Sequence, residues 1–247
     1  MMARIKVLVA CEFSGTVRDA FTAAGYDATS CDLLPTEAPG KHHQGDVREI
    51  LDAGWDLMVA HPDCTYLTCS AEWAYKDHQT KNIKPGTLIG AARRKARDEA
   101  AAFFMELMNA PIPHIAIENP VGVMSSRFRK ADQTVQPYEF GHDASKRTCF
   151  WLKDLPPLRK HKSLLVEPEY GCSCGVKFPP ALGRYGCPNC LGEGKVREVW
   201  ANQTPSGQNK LGPSARRWMD RAETYAGIAA AMARDWGTHA SIRRAQQ

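Results

Sequence analysis

Val7-Leu8-Val9-Ala10-Cys11-Glu12-Phe13-Ser14-Gly15 sets the reading of this chain. Four apolar residues form a run too short for a helix, and they end in a small-residue turn. A helical stretch then continues through Ala24. The order is strand, tight turn, helix. Working outward, Gly25-Tyr26 closes the helix and Asp27–Cys31 rises to Asp32 as a second strand. Gly45-Asp46-Val47 marks the end of a third. Asp56-Leu57-Met58-Val59-Ala60 is a fourth, running into His61-Pro62-Asp63-Cys64. Leu88–Asn109 has helical spacing, with Ala92, Ala96, Ala100, Phe103 and Leu107 on one stripe, and Pro111 and Pro113 stop it. His114-Ile115-Ala116-Ile117 is a fifth strand, running into Glu118-Asn119-Pro120, where Asn-Pro predicts an exposed loop. Strands alternating with helices imply an α/β fold, a Rossmann-like parallel sheet with helices on both faces.

The rhythm breaks after Thr148–Leu152. Residues 153–213 are rich in Pro, Gly and Cys and read as a small inserted module. A last helix over about Ser214–Trp236 carries Trp218, Tyr225, Ile228, Ala229 and Met232, and the polar tail from Gly237 is expected to fray. Three segments follow: 1–152, 153–213 and 214–247, the last returning to the first.

Composition restricts the classes. With 43% hydrophobic and 24% charged residues the chain is an ordinary globular protein, not a disordered one. No apolar run approaches the roughly 20 residues of a membrane span. The start, Met1-Met2-Ala3-Arg4-Ile5, lacks the apolar region of a signal peptide, so a cytoplasmic location is expected. The net charge of +5 permits a polyanionic partner without establishing one. Lys76, Lys81, Lys84, Arg93, Arg94, Lys95 and Arg97 read equally as a solvated face and as a phosphate-contacting segment.

The residues that carry chemistry stand at strand ends, where open α/β sheets bind ligands. Glu12-Phe13-Ser14-Gly15 follows the first strand, Asp32-Leu33 the second, Gly45-Asp46-Val47 the third, His61-Pro62-Asp63-Cys64 the fourth and Glu118-Asn119-Pro120 the fifth. In this order they resemble the cytosine-5 DNA methyltransferases, over residues 5–152 and again in the final helix. In size and layout the chain is similar to the compact methylases of phages and prophages. The resemblance implies S-adenosylmethionine as cofactor, with Glu12, Phe13, Ser14 and Gly15 beside its methionine part. Asp32 would then take the ribose hydroxyls, Leu33 and Val47 the adenine faces, and Asp46 the adenine amine; Pro62 belongs to the same pocket. For Leu33 and Val47, plain core packing is the equal alternative. Catalysis would fall to Cys64, Glu118, Asn119 and Arg147.

The chemistry explains the residue types. Carbon 5 of cytosine is a poor nucleophile, and a thiolate adding at carbon 6 activates it, which is covalent catalysis. Glu118 would bind or protonate ring nitrogen 3, Asn119 would hold the loop, and the target base must leave the stack. A buried inert thiol is the alternative for Cys64, and a turn cap the alternative for Glu118. Cys69 reads as structural. The family's pattern has Pro before the cysteine and Gln after it, where Asp63 and Thr65 stand here. A carboxylate next to the thiol is expected to raise its pKa. The family's Arg-x-Arg corresponds to Lys146-Arg147-Thr148.

Cys172-Ser173-Cys174 and Cys187-Pro188-Asn189-Cys190 form two knuckles flanked by glycines. Such pairs read as a tetrahedral structural zinc site, with free thiols as the alternative. The module occupies the slot of the family's target-recognition region. Lys177, Arg184, Lys195, Arg197 and Lys210 are candidates for phosphates, and Tyr185 and Trp200 for bases, a metal-stapled structural insertion being the alternative. The expectation is a monomeric DNA cytosine-5 methyltransferase acting on duplex DNA in a bacterial host cell, away from membranes. The alternatives are an RNA cytosine methyltransferase, transfer of a group other than methyl, and a catalytically silent nucleic-acid-binding homologue. An amino-group methyltransferase is disfavoured, because His61-Pro62-Asp63-Cys64 lacks that class's Pro-Pro-aromatic loop.

Overall fold

The computed structural model describes residues 4–77, 83–183, 186–191 and 194–246. Lys81, Arg184, Tyr185 and residues 1–3, named above, lie outside that set. In chain order the first elements are β1 (Lys6–Ala10), α1 (Thr16–Ala23), β2 (Asp27–Asp32), β3 (His42–Gln44) and β4 (Leu57–Ala60). Next come α2 (Gly90–Met108), β5 (His114–Pro120), α3 (Met124–Arg127), β6 (Gln133–Val135) and β7 (Thr148–Lys153). Then follow β8 (Glu169–Cys172), β9 (Lys177–Phe178), α4 (Pro180–Gly183), β10 (Val196–Val199), α5 (Arg217–Ala222), α6 (Ala226–Met232) and α7 (Thr238–Ala245).

The chain divides into two compact units. The first holds residues 1–134, 148–158 and 232–247; the second holds 135–147 and 159–231. Residues 214–231, grouped in sequence with the closing segment, thus cluster with the cysteine-rich part.

The first unit is built on a seven-stranded sheet of order β3-β2-β1-β4-β5-β7-β6. Strands β1 to β5 run parallel, and β7 runs antiparallel to β5. The sheet is therefore Rossmann-like and mixed rather than all parallel. Alternate residues of each strand face opposite sides. Leu8, Met58, Ile115, Ile117 and Trp151 pack with Phe104 and Leu107 of α2. On the other face α1 packs on β1 and β2, and Phe150 meets Trp236 edge to face. These central strands are apolar on both faces because both are covered.

Three expectations change. Glu118-Asn119-Pro120 is strand, not exposed loop: β7 extends the pairing to Pro120↔Thr148, and Asn119 is buried. The tail from Gly237 is helical, as α7, and α6 passes into it through a π-helical turn at Ala233–Gly237. The stripe of α2 is also displaced. Ala92 is exposed, and the buried face runs through Arg93, Arg97, Phe104 and Leu107.

In the second unit, β8 pairs antiparallel with both β10 and β9. Its small core is Cys172, Phe178 and Cys187, with Tyr170, Val176, Cys190 and Val196 packed around them. Among the described residues no helix is long and apolar enough to cross a membrane.

Candidate functional site

Strand register builds the site in the first unit. Ala10 pairs with Cys31 on one side and Ala60 on the other, and Ala60 pairs with Ile117. These four residues form one row across the sheet, and the next residues, Cys11, Asp32, His61 and Glu118, form the row above. Strand order reverses between β1 and β4, the switch point at which doubly wound sheets bind ligands. The strand-end residues singled out by sequence therefore share one edge.

Each is held by identifiable bonds. Glu12 is buried, and its carboxylate caps α1 by accepting the N–H groups of Val17 (2.6 Å) and Arg18 (3.2 Å). Burial raises its carboxyl above the ordinary range, with nearby His61 and those N–H groups opposing. Gly15 supplies the left-handed turn, φ 81°, where a Cβ would come within 2.4 Å of the Arg18 guanidinium. Phe13 is buried, and its carbonyl accepts the N–H of Glu37 at 2.9 Å. Ser14 is half-buried.

Arg18 was not singled out by the sequence, yet it organises the next loop. Its buried guanidinium donates to Ser30 and Thr36 hydroxyls and to the carbonyls of Ala38 and Pro39, all at 3.1–3.2 Å. That fixes residues 33–41 beside Asp32. Burial raises the Asp32 carboxyl above its ordinary range, against the Leu34 N–H it accepts at 2.9 Å. Leu33 is 74% exposed, so core packing does not explain it, whereas Val47 is core. Asp46 caps a 3-10 turn, accepting the Arg48 N–H at 3.0 Å and the Arg48 guanidinium at 3.0 Å; that backbone N–H foremost lowers its pKa. An adenine amine would share Asp46 with Arg48.

The loops after β4 and β5 are fastened together. His61 Nδ1 lies 2.7 Å from Glu118 Oε2, and its Nε2 is buried without a hydrogen-bond partner among the described residues. Asn119 donates to the Pro62 carbonyl at 3.0 Å. Val123 N–H donates to the Leu67 carbonyl at 2.8 Å, and Thr68 bridges Gly122. Arg97 over the Tyr75 ring, 3.3 Å from its centroid, donates to the Tyr66 carbonyl at 2.9 Å and pairs with Glu72. Arg93 is likewise buried over Tyr75. Neither the solvated face nor the phosphate-contacting segment describes these two arginines; they clamp the loop that carries Cys64. Nothing in the local sequence signals this, since the partners named lie 18 to 31 residues away.

Cys64 is partly exposed, outside the hydrocarbon that holds Cys31 and Cys149. Burial with Asp32 and Asp46 nearby pushes the Cys31 thiol up to about 12, and burial with Asp32 raises Cys11 further. Asp63 is turned to Thr65, accepting its N–H at 2.9 Å and its hydroxyl at 2.7 Å. Cys69 is exposed rather than packed. Arg147 is exposed and belongs to the second unit.

In that unit the cysteines fit a metal. Cys172 and Cys190 sulfurs lie 3.6 Å apart, Cys174 and Cys187 3.5 Å, and all four within 4.8 Å. A tetrahedral zinc with bonds of about 2.3 Å places sulfurs about 3.8 Å apart. Gly194 makes room: a Cβ there would meet Cys172 Sγ at 2.3 Å, and its N–H donates to Cys190 Sγ at 3.1 Å. The Val176 N–H, then the neighbouring thiols, bring Cys174 down to about 6. Trp200 stacks on Tyr138 at 4.5 Å, and Lys177 and Arg197 hold the carbonyls of Trp200 and Ser206. Lys195 and Lys210 are exposed.

Fold and site define a Rossmann-like α/β protein with polar strand ends gathered at its switch point and a four-cysteine cluster in its second unit. No family model matches the chain, and no curated protein matches it by sequence. Among solved structures it is similar to a mutant of Spodoptera frugiperda DNMT2, at 12% identity and TM-score 0.35, covering 65% of this chain. The match spans 54%, about half, of that protein's length.

Proposed function

We propose that this chain is an S-adenosylmethionine-dependent DNA cytosine-5 methyltransferase with Cys64 as nucleophile and zinc in the four-cysteine site. The observation that carries the reading is the shared edge: the Cys64 loop hydrogen-bonded to the strand end that bears Glu118, beside Asp32 at the switch point.

The donor's place is supported by chemistry already present. Asp32 offers a carboxylate of the kind that binds ribose hydroxyls, and exposed Leu33 offers the apolar face an adenine needs. Glu12 to Gly15, Pro62 and Val47 line the same turns. Bound there, S-adenosylmethionine supplies an electrophilic methyl group. The chain's own work is on the base. The Cys64 thiolate gives its electron pair to carbon 6, forming a C–S bond and moving ring electrons towards carbon 5 and the nitrogen 3 side. Glu118, oriented by His61, places a proton at nitrogen 3 and so spreads the developing charge. Asn119 holds the Pro62 carbonyl and so the approach of the loop. After substitution at carbon 5 its proton passes to water acting as base, the electrons of that bond restore the 5,6 double bond and expel the sulfur as thiolate, and nitrogen 3 returns its proton to Glu118. Arg147 and the exposed lysines of the second unit serve DNA phosphates in this proposal.

The test is covalent trapping on duplex DNA containing 5-fluorocytosine with S-adenosylmethionine, with a matched RNA in parallel. A DNA adduct that disappears in Cys64→Ser is expected. An adduct on RNA alone moves the substrate to RNA. No adduct on either, from folded protein that still binds DNA, leaves the silent homologue.

A further inference from the structure

At the opposite end of the same sheet three metal-binding side chains converge. His114 begins β5, and Asp154 follows β7, whose antiparallel course brings Lys153 level with Ile115. His239 lies in the first turn of α7. One ligand atom from each of the three lies within 4.8 Å of the others. His114 is buried, and its Nδ1 is 3.1 Å from Asp154 Oδ2 and 2.9 Å from the Asp154 carbonyl. Asp154 holds this position with φ 46°, a left-handed backbone that few residues other than glycine adopt. The two imidazoles meet edge to face at 5.4 Å, and His239 Nε2 is buried without a hydrogen-bond partner among the described residues. A buried ring nitrogen left unmatched beside a second imidazole and a carboxylate calls for an acceptor of its lone pair or its proton.

We infer that His114, Asp154 and His239 form a second metal site, for a divalent ion of the zinc class, which fastens α7 to the base of the sheet. Two imidazoles and one carboxylate suit a borderline ion, whereas the four thiolates of the other cluster suit a softer one. A tetrahedral ion with bonds of about 2.0–2.1 Å sets its ligand atoms about 3.3 Å apart. The His114–Asp154 pair already has that spacing, and the half-buried His239 closes the remainder by side-chain rotation. His114 would bind through Nδ1, its proton moving to Nε2. The charges around the cluster are compatible. Arg244 is paired with Asp56 at 2.8 Å, and Arg243, 3.6 Å from Asp154 Oδ2, is half-exposed and free to withdraw. Three protein ligands leave a position for water, and a small cavity lined by Pro113, His114 and Ala240 adjoins it.

The test counts metal on the full chain. Purified protein is dialysed against a weak chelator, titrated with Co(II), and read by elemental analysis and visible absorption. Wild type is expected to take up about two equivalents, one showing thiolate charge-transfer bands and one showing only ligand-field bands of nitrogen and oxygen donors. Asp154→Asn keeps a residue that tolerates the left-handed backbone, and His239→Gln alters a half-buried side chain. Each should hold about one equivalent and lose the second spectrum, and metal should raise the wild-type melting temperature but not theirs through this site. Cys187→Ser should lose the other equivalent and keep this one. Wild type saturating at one thiolate-bound ion, or either variant retaining the second spectrum, overturns the inference.

Discussion

Gly122→Ala tests whether the Cys64 loop is positioned by the strand end that carries Glu118. A Cβ at Gly122 would lie 2.0 Å from the Leu67 carbonyl oxygen and 2.9 Å from its carbon, and these are backbone atoms that cannot rotate away. Ordinary non-bonded separation is about 3.5 Å, so the loops must part by at least about 1 Å. The Val123–Leu67 bond at 2.8 Å then passes out of hydrogen-bonding range. Its loss costs about 0.5–1.5 kcal/mol. The overpacking adds about 1–3 kcal/mol. The stiffer unfolded chain gives back about 0.4–1 kcal/mol. The net is about 0.5–4 kcal/mol, or a fall in melting temperature of about 1–16 °C for a chain of this size. A displacement of about 1 Å in a reacting group slows chemistry on the order of a hundredfold, so adduct formation with 5-fluorocytosine DNA should slow by that order. The assay is a thermal melt with trapping kinetics, and Gly212→Ala serves as control because a Cβ there meets nothing within 4 Å. If Gly122→Ala melts and traps like that control, the loops are not fastened here and the argument is wrong.

Arg18→Met should destabilise the first unit by about 2–4 kcal/mol, because the Ala38 and Pro39 carbonyls lose their buried donor. Hydrogen exchange should speed up over residues 33–41, and unchanged protection there would contradict the role given to Arg18. Burial raises the Glu12 carboxyl above the ordinary value of 4.5, so the folded chain binds that proton more tightly than the unfolded one. This contribution to stability is lost as pH climbs from the unfolded value through the raised folded one. Glu12→Gln should flatten that decline in melts run across the acid range, and an unchanged slope would show that Glu12 titrates normally. Strong chelation should release zinc and collapse exchange protection in β8 and β10, leaving β1 to β5 protected, because the small core of the second unit contains two of the ligands. Full protection after metal release would make the four-cysteine site dispensable. A double-mutant cycle on Asp63→Ala and Thr65→Val should give a coupling of about 0.5–1.5 kcal/mol in melting free energy, and strict additivity would mean the two do not interact.

The strands were legible because their apolar runs end abruptly in residues that no core accepts, and the register that aligns Asp32, His61 and Glu118 follows from parallel pairing of such runs. The direction of β7 was not legible. A run such as Cys149–Leu152 reads the same either way, and only its pairing with β5 makes it antiparallel and draws Glu118–Pro120 into the sheet. The helical tail was hidden for a related reason. Ala240 is the one buried residue of α7, too faint an apolar signal for a periodicity argument. The buried arginines are the least legible, because charge predicts solvent or a polyanion until a partner is known. The partners of Arg18, Arg97 and His61 stand 12 to 57 residues away.

The same contrast explains the departures around Cys64. Taken one at a time, Asp63, where the pattern it resembles has proline, brings a carboxylate beside a thiol that must ionise in the proposed reaction, and Thr65, where that pattern has glutamine, removes an amide. In the fold they are one device. Asp63 Oδ1 accepts both the N–H and the hydroxyl of Thr65, so the carboxylate is turned across the loop onto the residue after the cysteine. The turn that a proline would have imposed by ring geometry is imposed here by two hydrogen bonds, while Pro62, one position earlier, is held through its carbonyl by Asn119. Either change alone would leave a charge or a turn without support. Together they preserve the condition the proposed chemistry needs, a partly exposed sulfur on a loop whose two ends are fixed.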